Sequence, residues 1–385
     1  MKNKRTQKYK KKQNKPLGNK IMITAIALLW IIAIIQFILF IRTHKQIKTS
    51  FPFSSKINKL EKKEKYGKIN NRATDFFEEF ANFLYSDYYA IKKVYAYKYY
   101  PKLDKENPFE KNTEYFFVVI EKKLKFNFVQ ELPFVQGMKN GVDITGNNPI
   151  ALKMYKTKID ELKKYIGTWQ TENNIFKVRF TDSEKKFETS EITIATYNDE
   201  TPAIELKSPS FEQMYKEGAD FIKKSARVKK IKTVYQCKKA IDYADRYTSN
   251  PVNKNADKRF WNKDYSYYEN DCANFVSQCI HAAGVETTSI WKPDSLLWIR
   301  TGSPKYEYKG VTNYMKRKNI FFNTTYSGIS AGGFICLVKE SHVVMVTSND
   351  SITVLFNAHT NDRKRVSFPK LSNEEALYLT PNFNL

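Results

Sequence analysis

Twenty-one consecutive residues, Ile21 to Ile41, carry no charge, and Thr24 and Gln36 are the most polar among them. At about 1.5 Å of rise per residue, a helix of that length spans the ~30 Å hydrocarbon layer of a bilayer. The run is longer than the ~7–15 apolar residues of a cleaved signal peptide, and Arg42-Thr-His-Lys45 follows it with no small-x-small cleavage site. This predicts an uncleaved, single-pass membrane anchor. Nine Lys/Arg and no acid precede it in residues 1–20, so the N-terminus is expected in the cytoplasm and the rest of the chain outside. Residues 42–70 are polar and Lys-rich, and they read as a stalk.

That basic flank also locates the charge. The chain of 385 residues has a net charge of +25, but residues 1–68 alone hold 18 Lys/Arg against 2 Asp/Glu. The last 145 residues are nearly balanced, with 17 against 14. A basic run beside an apolar span fits phospholipid head groups, so membrane lipid is the expected partner and nucleic acid is not. With 42% hydrophobic residues, the chain is not disordered, and four cysteines do not make a disulfide scaffold.

The expected fold class is α+β: a transmembrane helix, a small, mostly antiparallel middle domain over residues 71–230, and a C-terminal α+β domain over 231–385. In the middle domain, Phe76, Phe77, Phe80, Phe83 and Leu84 recur at helical spacing. Strand-like runs follow at Lys93–Tyr100, Tyr115–Lys122, Phe176–Phe180 and Glu191–Tyr197. Gly137, Gly141 and Gly146 predict a loop, and Leu152–Tyr165 a helix. The stretch holds no histidine or cysteine between residues 71 and 210, which fits a spacer or binding domain better than a catalytic one. A second helical stretch, Phe211–Arg246, leads to the last domain.

Chemistry concentrates there. His281, His342 and His359 lie in the last 105 residues, and Cys272, Cys279 and Cys336 fall in the same C-terminal domain. Asn270 to Gly284 reads as one helix with Asp271 as N-cap and Gly284 as the stop. Cys272 then takes the first helical position, where unpaired N–H groups and the helix dipole favour a thiolate and offer donors to an oxyanion. Cys279, on the apolar face, reads as core. Gly333–Lys339, His342–Ser348 and Ile352–Phe356 read as three antiparallel strands. A two-residue turn at Asn349-Asp350 would set His342 opposite Asn357, and a four-residue turn opposite His359. Either even loop keeps both candidates on the face of His342, whereas an odd loop flips them away. A cysteine at a helix start, a histidine on one strand and a polar residue on the next have the layout of a Cys–His–polar triad. Gly328-Ile-Ser330-Ala-Gly332 also fits the G-x-S-x-G nucleophile elbow, but a strand-like run follows it where a helix is required.

Three segments carry a resemblance: Asp271-Cys272-Ala-Asn274-Phe275-Val-Ser277-Gln278-Cys279, then Ser341-His342-Val-Val-Met-Val, then His359-Thr360-Asn361-Asp362-Arg363. In order, they resemble the bacterial family described as "Putative amidase domain", which is grouped with papain-like and NlpC/P60-like cysteine hydrolases. Tyr235 to Tyr247 resembles its opening helix, so the likeness covers about residues 232–385. The resemblance implies an amidase with Cys272 as nucleophile, His342 as base and His359 as third member, with Asn357 the alternative. It implies no cofactor and requires no metal. Gly332-Gly333 departs from the Gly-Asp expected before the first strand. With an outward-facing domain, the expected substrate is a cell-wall peptide or another extracellular amide. The competing expectation is a catalytically inactive wall-binding or assembly protein that keeps the fold.

Overall fold

The structure is a computed structural model that describes residues 69–99, 112–194, 201–229, 231, 233–249, 260–303, 309–360 and 362–383. Ile21–Ile41, the basic tail before it and residues 42–68 of the predicted stalk lie outside the described residues. Among the described residues no helix is long and apolar enough to cross a membrane.

The chain begins with α1 (Asn71–Tyr85), β1 (Tyr89–Tyr99), β2 (Thr113–Leu124), α2 (Pro133–Ile144), α3 (Pro149–Leu162), β3 (Gln170–Arg179), β4 (Glu191–Ile194), β5 (Thr201–Pro202) and α4 (Phe211–Ser225). It continues with α5 (Cys237–Arg246), α6 (Cys272–Ala282), α7 (Leu296–Ile299), α8 (Val311–Arg317), β6 (Phe321–Asn323), β7 (Phe334–Leu337), β8 (His342–Asn349), β9 (Val354–Ala358), β10 (Arg363–Phe368) and β11 (Ala376–Pro381). The fold is mixed α+β with a largely antiparallel sheet.

The aromatic spacing of α1 does what its period demands. Phe76, Phe77 and Phe80 are buried, Asn70 caps the helix by accepting from the Ala73 N–H at 3.0 Å, and Phe77 stacks on Phe176 of β3. The predicted glycine loop is instead α2. Gly137 and Gly141 lie on the face that meets α4, where a Cβ on Gly137 would come within 1.8 Å of the Tyr215 carbonyl oxygen. Gly218 on α4 answers it, 2.0 Å from the Phe134 carbonyl oxygen by the same test. These glycines serve close helix packing, not a turn. The stretch Phe211–Arg246 is likewise two helices, α4 and α5, with residues 226–236 between them non-helical where described.

The main sheet has the order β1-β2-β3-β10-β9-β8-β7-β11-β6, with β4 and β5 appended on β3. It therefore runs unbroken across the sequence boundary near residue 230. The seam is the parallel contact between β3 and β10, at Asn173 and Val366, and the described residues belong to one compact unit. A buried polar network closes this seam. Lys122 pairs with Glu172 while both are excluded from water, and its Nζ also donates to Thr353 Oγ1 at 3.0 Å. Tyr85 donates to Glu172 at 2.7 Å, and Tyr89 donates to Asp350 at 2.7 Å. Burial alone would raise the Glu172 carboxyl, but the Lys122 charge and hydrogen bonds from Lys122, Ser367 and Tyr85 bring it below its ordinary value. The first half of the chain thus grips the turn between β8 and β9.

β7 and β8 alternate as expected. Phe334, Cys336, Val343 and Met345 pack in one cluster with α6, while Ile335, Leu337, Val344 and Val346 pack on the opposite face with Phe356 and Ala358.

Candidate active site

Cys272 opens α6, as its position in the sequence predicts. The helix stops at Gly284, where φ is +104°. Asp271, however, makes no side-chain cap. Its Oδ1 accepts from Asn274 Nδ2 at 2.8 Å and from the Tyr268 N–H at 3.3 Å, and its Oδ2 faces His359 Nδ1 at 2.7 Å. The carboxylate turns away from the helix because it has stronger partners in the segment after β9. The first-turn N–H groups of α6 consequently take nothing from it.

Cys272 packs in one cluster with Val343 of β8, whose backbone N–H favours the thiolate. The ladder explains why this donor is free. Val346 donates towards β7, to the Gly333 carbonyl at 2.8 Å, so Val343, three residues earlier, points its N–H towards β9. β9 has ended at Ala358 by that level. Val343 packs in one cluster with Cys272, and His342 immediately precedes it at the start of β8.

The register then separates the candidate third members from His342. The turn has four residues between the Asn349–Val354 pair, but a bulge between Val346 and Ser348 shifts the pairing by one. Met345 faces Asn357, so Asn357 and His359 alternate with the set of Val343 and Met345. His342 is paired with Leu337 and belongs to the opposite set. Asn357 instead donates to Asp245 Oδ1 at 3.0 Å and accepts from the Arg365 N–H at 2.7 Å. Both ring nitrogens of His359 are also taken, Nδ1 by Asp271 and Nε2 by the Tyr247 carbonyl at 2.8 Å. The ring of His342 makes no hydrogen bond to any described residue.

Burial sets the charges. It pushes the Cys272 thiol up to about 11, against the backbone donors of Val343 and Ala273, and the neighbouring Asp271 charge adds to the rise. The helix-start argument for a depressed thiol is outweighed by loss of water. His342 is held down at about 4, by burial first and then by the charge of Arg363. The resting pair is therefore a thiol and a neutral imidazole. Cys237, pushed to about 12, and Cys279, driven well above its ordinary value, are also protonated by burial.

Two pH effects follow. Alkylation of Cys272 should be slower than that of a free cysteine at pH 7 and rise about tenfold per unit up to about pH 11. His342 has a folded value below its unfolded one of about 6.5, so its stabilising contribution is complete above pH 6.5 and is lost as pH falls towards 4. Thermal melts of the wild type and the His342→Gln chain should therefore diverge across that window. Parallel curves would contradict the assignment.

Several residues that position this site escaped the motif reading. Trp261 stacks on His359 at 4.2 Å and donates to Asp362 at 3.1 Å, and Ser249 donates to the same carboxylate at 2.9 Å. Thr360 Oγ1 accepts from the Asp271 N–H at 3.1 Å. No local spacing links these residues; they meet only in the fold. Gly333 explains the departure from Gly-Asp, since a Cβ there would lie 2.5 Å from the Leu379 carbonyl oxygen. The G-x-S-x-G serine is no elbow nucleophile: Ser330 is fully buried, and its neighbour Lys158, 3.4 Å away, is ion-paired with Glu161. Among the described residues, no group of three or more His, Cys, Asp or Glu is placed to hold a metal ion.

Two curated proteins of Bacillus subtilis (strain 168) are similar to part of this chain. "Uncharacterized protein YjcM" is 26% identical over 149 residues, covering 35% of this chain and 33% of its own length. "Uncharacterized protein YhbB" is 28% identical over 127 residues, covering 28% of this chain and 40% of its own. The chain thus spans well under half the length of either relative. No solved structure matches it. Residues 234–379, which contain α5, α6, Cys272, β8 and the His359 segment, match the model of the family described as "Putative amidase domain".

Proposed function

We propose that the chain is a cysteine amidase in which Cys272 attacks an amide carbonyl carbon and His342 carries the proton. The observation that supports this most is Cys272 at a helix start, packed in one cluster with Val343, the residue that follows His342. With His342 neutral, the ring accepts the thiol proton as the C–S bond forms. The developing oxyanion would take the uncapped first-turn N–H groups of α6. His342 then returns its proton to the departing amine as the C–N bond breaks, and water hydrolyses the thioester. In this reading His359 and Asn357 hold the frame and do not orient His342. The apolar span Ile21–Ile41 tethers the enzyme to the membrane with residues 42–385 outside, which makes wall peptides the reachable substrate class.

The full chain in detergent, incubated with peptidoglycan fragments, should release new amino groups. The acid limb of kcat/KM should fall near pH 4 rather than 6.5, because the base titrates at about 4. Loss of His342 in a His342→Ala chain should remove the activity. Amine release unchanged in that variant would refute the assignment of the base, and no release from any amide polymer would favour a wall-binding role.

A further inference from the structure

The partners of His359 constrain its protonation more tightly than those of an ordinary histidine. Nδ1 lies 2.7 Å from Asp271 Oδ2, and Nε2 lies 2.8 Å from the Tyr247 carbonyl oxygen. A neutral imidazole has one N–H and one lone pair. The carbonyl can only accept, so Nε2 must carry a proton. Asp271 as a carboxylate accepts on both oxygens, and its Oδ1 takes donors from Asn274 and from the Tyr268 backbone. A lone pair on Nδ1 would then face an oxygen lone pair at hydrogen-bond distance.

The ring faces point the same way. His359 is sandwiched between Trp261, at 4.2 Å and 9°, and Phe275, at 4.0 Å and 22°. Two π faces favour a cation between them. The other ionisable groups nearby are Asp362, held by Ser249 and Trp261, Cys272 beside Asp271, Tyr247 itself, and Arg363 at the start of β10.

We propose that His359 is held as a buried imidazolium, a positioning residue that locks the start of α6 through Asp271 and so seats the Cys272 thiol against β8. Asp271 is covalently joined to Cys272, and its backbone N–H is also tied to this segment through Thr360. The lock connects four pieces of chain: the end of α5, the segment carrying Trp261, the start of α6 and the turn after β9. Loss of one ring proton would set two lone pairs against each other and release the helix start. The protonation state does not depend on whether the chain cleaves amides, so its test is separable from the amidase reading.

The experiment is nitrogen NMR of the full chain in detergent micelles, labelled with ¹⁵N-histidine. The sequence has four histidines, and His44→Gln, His281→Gln and His342→Gln chains identify the His359 signals by elimination. Both ring nitrogens of His359 should be protonated at pH 7. In the Asp271→Asn chain, the amide N–H can donate to Nδ1, and the ring should lose that proton and keep only the one on Nε2. A singly protonated His359 in the wild type, or a ring still doubly protonated in folded Asp271→Asn, would overturn the proposal. If Asp271→Asn does not fold, the wild-type spectrum alone decides.

Discussion

The Cys272→Ala chain is expected to lose turnover by about 10⁴-fold or more, because removing the nucleophile leaves only binding and the backbone donors of α6. Its folding should be nearly intact. The thiol is a small side chain within the α6 cluster, so its loss should cost less than about 2 kcal/mol. The measurement is amine release from peptidoglycan fragments beside a denaturant melt of the same sample. Full unfolding of the variant would assign Cys272 a structural role. Cys272→Ser keeps the size of the side chain and should be inactive as well, since a hydroxyl is far less nucleophilic beside the same base.

The largest effect on stability is expected at the seam of the sheet. Glu172→Ala leaves Lys122 charged and buried against the rings of Tyr85 and Tyr89 and should cost about 3–5 kcal/mol. The double replacement Lys122→Met with Glu172→Gln should cost much less, because the amide oxygen of Gln still accepts from Tyr85 and Asn174 and no charge remains. Urea unfolding of the three chains checks this. A double variant as unstable as Glu172→Ala would mean that shape, and not charge, governs the seam. The network also reaches Asp350 and Thr353, so the single variant should loosen the turn that ends β8.

Periodicity and turn chemistry made much of this fold legible. The helix of Phe76 to Leu84, the helix opened by Cys272 and closed at Gly284, and the three strands from Gly333 to Phe356 all follow from spacing alone. The places of Cys272 at a helix start and of His342 at a strand start follow as well, since both are local features. Legibility ended where partners distant in sequence decide. Nothing around Thr347 marks the bulge, yet that single residue moved Asn357 and His359 to the other face from His342. Asp271 has every local property of an N-cap, but His359 and Asn274 compete successfully for its carboxylate. Gly137 and Gly141 look like turn residues until α4 is packed against them. The two-domain division followed the distribution of histidine and cysteine, whereas one sheet crosses it through β3 and β10. The depressed thiol expected of a helix start gave way to burial, a tertiary property.

The most direct test of the proposed chemistry is to trap its intermediate. The full chain, mixed with an activated amide or ester of a wall-peptide acid and quenched in acid within a turnover, is digested and weighed peptide by peptide. The account predicts an acyl group added to the peptide that carries Cys272, absent from Cys272→Ala and removed by hydroxylamine. Acylation of Ser330 or of another cysteine, or turnover with no adduct on Cys272 under any quench, would contradict it.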